Sequence, residues 1–104
     1  MLYLINTPIL TAYGDYRLEA LSLEYARTLA AEGFTSAVGH AGAAALLEDL
    51  LGFPVTVERK TITMQPNDCA LVLRVMKRLP EGVVLSTEEL RQQPYELALL
   101  TRIL

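Results

Sequence analysis

The stretch "CALVLRVM", Cys69 to Met76, is apolar at successive positions rather than at alternate ones, with Arg74 as its single break. A strand with one wet face alternates, so a run that is apolar on both faces belongs in the middle of a sheet. Other segments supply its neighbours. "LYLI", Leu2–Ile5, is a short apolar run ended by Asn6-Thr7-Pro8 and reads as a buried strand. After the Gly14-Asp15 turn, Tyr16, Leu18 and Ala20 alternate with Arg17 and Glu19, the pattern of a half-buried strand. Phe34 to Val38 reads as a strand, and so does Val55 to Met64, where Val, Thr and Ile are dense. Pro66-Asn67-Asp68 marks a turn, and Tyr95 to Leu104 is a last, very apolar strand.

Helix signals fall between these runs. Ser22 is a good N-cap for a helix from Leu23 to Glu32, and Gly33 suits its stop. A second helix runs from Ala41 to Leu51, closed by Gly52, with Ala43, Leu46, Leu47 and Leu50 on one face. Ser86-Thr87-Glu88-Glu89 is a capping box for a short third helix that stops before Pro94. The expectation is an α+β fold, a small mixed β-sheet of about six strands with about three flanking helices. A length of 104 residues makes residues 1–104 a single domain.

Composition removes several classes of function. Nine basic residues against twelve acidic ones leave a net charge of -3, poor for general binding to long nucleic acid, where affinity comes from many phosphate contacts. A small phosphate ligand held by a few local arginines remains open. No apolar run approaches the ~18 residues of a membrane span, and the start lacks the basic and apolar parts of a signal peptide. Cys69 is the one cysteine and cannot form an internal disulfide, so the chain reads as cytoplasmic. Hydrophobic residues make up 52% of the sequence, high for a small domain, which points to apolar surface covered by a second subunit. No Walker or dinucleotide-binding glycine pattern occurs.

The candidate chemistry centres on "SAVGHAGAAALL", Ser36 to Leu47, which holds the only histidine. His40 falls at or next to the N-cap of the second helix, where free N–H groups favour an anion. Gly39 and Gly42 let a ligand approach the backbone, and the alanines behind them leave the helix end unshielded. A phosphate there would hold His40 charged against the helix field, and a charged histidine beside a phosphodiester is a candidate general acid. The competing reading is a structural or surface histidine.

Arg59, in "ERK", and Arg78 with Glu81, in "KRLPEGVVL", add candidates. Arginine can fork two N–H groups onto a phosphate, and Glu81 could take a proton or orient a hydroxyl. Otherwise Arg59 is a solvated strand residue and Arg78 with Glu81 a surface ion pair of small value. Metal ligation is unsupported, because one His and one Cys stand without carboxylates at ligand spacing. Cys69, expected mid-strand, is a poor nucleophile. Tyr13 and Tyr16 offer ring faces to a base, although aromatics flanking a turn more often pack.

Taken in order, "LYLINTPIL", "SAVGHAGAAALLEDLLG" and "KRLPEGVVLSTEEL" with the closing "ELALLTR" resemble the viral anti-CRISPR ring nucleases of type III CRISPR systems and their cellular and plasmid-borne relatives. The resemblance spans nearly the whole chain. It implies a homodimer of small α+β subunits that binds cyclic tetra-adenylate and cuts it without metal or other cofactor. Residue by residue, it implies that His40, preceded by Gly39, is the catalytic acid and that Arg59 binds the ligand. Arg78, Glu81 and Gly82 match the family's binding and catalytic arginine-x-x-glutamate-glycine, and Asn6 matches its early asparagine. Relatives usually carry hydroxyl side chains two and three positions after the histidine. Here those positions are Gly42 and Ala43, leaving backbone donors alone. The alternatives are a sponge or sensor that holds a cyclic nucleotide uncut, and a small viral DNA-binding regulatory protein, which the acidic balance disfavours.

Overall fold

The computed structural model describes residues 1–6, 12–75 and 94–104. Its chain order is β1 (Leu2–Ile5), β2 (Tyr16–Ala20), α1 (Leu23–Ala31), β3 (Thr35–Ser36), α2 (Ala41–Leu51), β4 (Cys69–Val75) and β5 (Tyr95–Arg102). The strands form one five-stranded mixed sheet in the order β2-β5-β4-β1-β3. β1 is parallel to both neighbours, pairing Leu4 with Ser36 on one side and with Leu71 on the other. β5 runs antiparallel to both β4 and β2. The α+β expectation is met. The third helix read from Ser86 lies outside the described residues.

β4 is central, as its unbroken apolar run requires, and Ala70, Leu71, Val72 and Leu73 are all fully buried. Alternation divides the strands between two cores. Leu4, Leu71, Leu73 and Leu97 face the helices, packed with Val38, Leu46, Leu47 and Leu50. Ile5, Ala70, Val72, Ala98 and Leu100 face the other side, against Ala37, Ile62 and Met64.

α1 stops at Ala31, one residue short of the Glu32 reading, while α2 spans Ala41–Leu51 as its sequence predicts. Ser22 Oγ accepts from the Tyr25 N–H at 3.2 Å and starts α1. Gly52 closes α2 in the left-handed region, at φ 81°, and its N–H donates to the Glu48 carbonyl. α1 buries only Ala26 and Ala30, one turn apart, so it can approach closely. Arg27 Nε donates to the Leu50 carbonyl at 2.8 Å, tying α1 to the last turn of α2.

Four expectations need correction. Residues 55–64 are not a strand: they form an irregular strap. Val55 is buried in the helix-side core, Val57 is 51% exposed, and Met64 is buried in the opposite core. The apolar positions thus change from odd to even along the strap, so no single strand face could bury them all. The strap starts beside β3, where the Ser36 hydroxyl donates to the Thr56 carbonyl at 2.6 Å and the Glu58 N–H donates to the Val38 carbonyl at 2.9 Å. A side chain there takes the place of a backbone donor, and the ladder does not propagate. Second, β3 itself is only Thr35–Ser36, shorter than the Phe34 to Val38 reading. Third, β2 is an edge strand with Arg17 to Ala20 exposed, rather than half-buried, because its even-numbered face has little above it. Fourth, Cys69 opens β4 rather than sitting within it, and its sulfur lies 3.7 Å from the Thr101 hydroxyl.

The strap is fastened at its far end by Arg102. Its Nη1 donates to the Met64 carbonyl, Nη2 to the Tyr13 carbonyl at 2.9 Å, and Nε to the Leu104 carbonyl at 3.1 Å. Asn67, left-handed at φ 75°, turns the chain into β4. Asp68 accepts there from the Gln65 N–H at 2.9 Å and from the Met1 amine at 3.1 Å. The Gln65 bond, helped by the amine and by Arg102, holds the Asp68 carboxyl below its ordinary value of 3.8.

Two predictions follow from the strap and its turn. Met64→Ala should destabilise the fold by about 2–5 kcal/mol in urea titration, while Val57→Ala should change it by less than about 0.5 kcal/mol. A depressed carboxyl stabilises the folded state above its unfolded value and loses that contribution as pH falls through the folded value. The stability gap between wild type and Asp68→Asn should therefore be full above pH 3.8 and shrink below it. Denaturation midpoints measured across that range check it.

Candidate functional site

Parallel strands deliver their carboxyl ends to one edge of a sheet, and ligands of α/β sheets bind outside such ends. β1, β3 and β4 are mutually parallel through β1. Asn6 directly follows β1, and Gly39-His40 follow β3 by way of Ala37 and Val38. Arg78, Glu81 and Gly82 follow β4 in sequence and lie outside the described residues. The candidates Asn6, Gly39, His40 and Gly42 thus share the edge where the parallel strands finish.

Arg59 is brought there by the strap. Its Nε donates to the Gly39 carbonyl at 2.8 Å. The arginine is exposed, and its terminal nitrogens have no hydrogen-bond partner among the described residues. Gly39 is needed for this contact: a Cβ on it would stand 2.8 Å from Arg59 Cγ, inside the van der Waals limit. The close approach expected of a ligand at Gly39 is thus made by an arginine stem of the same chain.

His40 is the N-cap of α2, at φ -127° and ψ 124°. Its Nδ1 accepts from the Gly42 N–H at 3.1 Å and the Ala43 N–H at 3.3 Å, and its carbonyl accepts from Ala44. This corrects the picture of an open helix end. Two of the first-turn donors expected to await an anion are satisfied by the histidine itself. A ring accepting at Nδ1 carries its proton on Nε2. His40 is partly exposed, and the Gly39 carbonyl that holds the Arg59 guanidinium directly precedes it in the chain. The imidazole N–H and the guanidinium are both hydrogen-bond donors, suited to an anion.

Other groups take no part in this arrangement. Among the described residues no cluster of three or more His, Cys, Asp or Glu is placed to hold a metal ion. No helix among them is long and apolar enough to cross a membrane. Tyr16 donates its hydroxyl to the Ala12 carbonyl at 2.8 Å and packs against the second core, while Tyr13 is fully exposed. The Gly39–Arg59 contact was not legible, since the two stand 20 positions apart and only the glycine's small size hinted at a close neighbour. Arg102 was also missed, its one signal being a lone guanidinium in an otherwise apolar ending.

A five-stranded mixed sheet with its helices on one face, and with Asn6 and His40 following the ends of β1 and β3, defines a small α+β domain with a candidate site at one edge. The chain belongs to the STIV B116-like family, whose profile matches residues 2–97. It is similar to B116 of Sulfolobus turreted icosahedral virus in fold, with a TM-score of 0.77 at 24% identity over 97% of this chain and 98% of that one. Uncharacterized protein ORF117 of Acidianus two-tailed virus is 34% identical over 110 residues, covering 99% of this chain and 94% of the relative. Uncharacterized protein YddF of Bacillus subtilis (strain 168) is 28% identical over 102 residues, covering 95% and 94%.

The double hydrogen bond at Nδ1 makes the partly exposed His40 structural. His40→Ala should cost about 0.5–2 kcal/mol of stability, while His40→Asn, which keeps a side-chain acceptor, should cost only a small part of that. Chemical denaturation of the two variants beside wild type separates cap loss from any effect on chemistry.

Proposed function

We propose that this chain is a metal-independent ring nuclease that opens cyclic tetra-adenylate into linear di-adenylates ending in 2′,3′-cyclic phosphate and so switches off type III CRISPR signalling. The observation that carries the reading is the hydrogen bond from Arg59 Nε to the Gly39 carbonyl, which brings the arginine to the residue preceding His40. The resemblance of the ordered segments to that family supplies the substrate.

RNA brings its own nucleophile, so the protein needs little chemistry. The 2′-hydroxyl attacks the adjacent phosphorus, the P–O5′ bond breaks, and the leaving 5′-oxygen takes a proton from His40 Nε2. The 2′-hydroxyl proton passes to solvent. Arg59 holds phosphate charge as it builds. Arg78 and Glu81 keep the binding and catalytic roles that the resemblance implies, and Asn6 that of a ligand contact. A C2 homodimer matches the two-fold axis of the ring and supplies two such sites to one ligand.

Incubation with cyclic tetra-adenylate in chelator, with products resolved by chromatography, tests the reading. Turnover of excess ring is expected. Binding that saturates at a fixed ratio with no cleavage marks a sponge or sensor, and salt-dependent duplex binding marks a DNA-binding regulator. His40→Asn should lower single-turnover cleavage about 100- to 10,000-fold with little loss of affinity. Arg59→Ala should instead weaken binding by about 1.5–3 kcal/mol, read in equilibrium titrations.

A further inference from the structure

The seat that His40 occupies on α2 and the acid role just proposed for it demand different protonation states of one ring. Seated, Nδ1 accepts from two backbone N–H groups, those of Gly42 and Ala43, at 3.1 and 3.3 Å. Backbone N–H groups only donate, so Nδ1 there carries no proton and the ring is neutral. An imidazolium bears a proton on each nitrogen. Placed on the same seat, its Nδ1–H would face two other N–H groups with no acceptor among them. Neutral imidazole at the seat could still donate a hydrogen bond from Nε2, but as a proton donor it is far weaker than imidazolium.

We propose that the seated histidine is a resting form and that His40 becomes the proton donor only by leaving the cap, as the charged ring. This rests on the ring-nuclease reading above. The cycle then balances. The ring turns away from Gly42 and Ala43 and takes a proton on Nδ1 from solvent. Nε2 gives its proton to the departing 5′-oxygen as the P–O5′ bond breaks. The ring is left neutral with its proton on Nδ1, the wrong nitrogen for the cap. It exchanges that proton with water for one on Nε2 and only then reseats.

The neighbours allow such a cycle. The first turn of α2 carries no acidic residue, so no carboxylate of that turn pins a charged ring. In the strap beside it, Arg59 is tied to the Gly39 carbonyl, with Glu58 and Lys60 on either side of it in sequence and both exposed. Glu48 and Asp49 belong to the other end of α2.

Because His40 is the only histidine, every imidazole resonance of the 15N-labelled full chain belongs to it. In the free protein at neutral pH, Nε2 should be protonated and Nδ1 bare. The probe is cyclic tetra-2′-deoxyadenylate, which lacks the attacking hydroxyl and stays intact. At saturation and the same pH, both ring nitrogens should be protonated, and the Gly42 and Ala43 amide signals should shift in the same step. Calorimetry in buffers of different ionisation heat should show uptake of roughly one proton per bound site. His40→Asn, which caps without a titratable ring, should bind the probe with that uptake gone. A saturated complex that keeps Nδ1 bare and takes up no proton overturns the proposal while leaving the ring-nuclease reading intact. Failure of the deoxy probe and of cyclic tetra-adenylate itself to bind overturns both.

Discussion

Parallel pairing of β1 with both β3 and β4 is the constraint on which the remaining structure depends. A parallel strand needs a crossover to reach its neighbour and cover on both faces to stay dry. α1 and α2 cover one face. The other is covered near β1 by a segment with no regular structure of its own, the 55–64 strap, whose Ile62 and Met64 close over Ile5 and Val72. The strap must therefore leave the helix side, pass the β3 edge and descend on the far face. On that path it presents Arg59 to Gly39. The same pairing sends three strand ends to one edge, where the candidates Asn6, Gly39 and His40 follow β1 and β3.

Much of this was legible in the chain. The bounds of β1, β2 and α2 follow from punctuation alone: Asn6-Thr7-Pro8, Gly14-Asp15 and the Gly52 stop each mark a change that the backbone obeys. The centrality of β4 follows from its lack of alternation. The strap was misread because β-propensity describes residues and not their partners. Its own parity change, from Val55 and Val57 to Ile62 and Met64, already spoke against one flat strand. The edge position of β2 was hidden because alternation of Tyr16, Leu18 and Ala20 identifies an inward face without saying how much lies above it.

The site was legible by residue and less so by role. Placement of His40 at a helix start follows from the Gly-His-Ala sequence, but its reach back to two amides does not, since serine and aspartate are the expected caps. An imidazole in that place offers its Nδ1 to two amides where a serine or aspartate would offer an oxygen. The helix end and the proposed proton donor are thus one side chain, so the cap and the proposed chemistry compete for the same ring.

The contact between Gly39 and the stem of Arg59 reaches beyond this one molecule. A methyl group at position 39 would meet Arg59 Cγ at 2.8 Å, so the glycine can be replaced only where the residue at 59 has first become shorter or moved aside. The reverse order is open, since shortening position 59 leaves an unobstructed glycine. The two positions are thus sterically coupled, and a side chain at 39 is accommodated only once the residue at 59 yields that space.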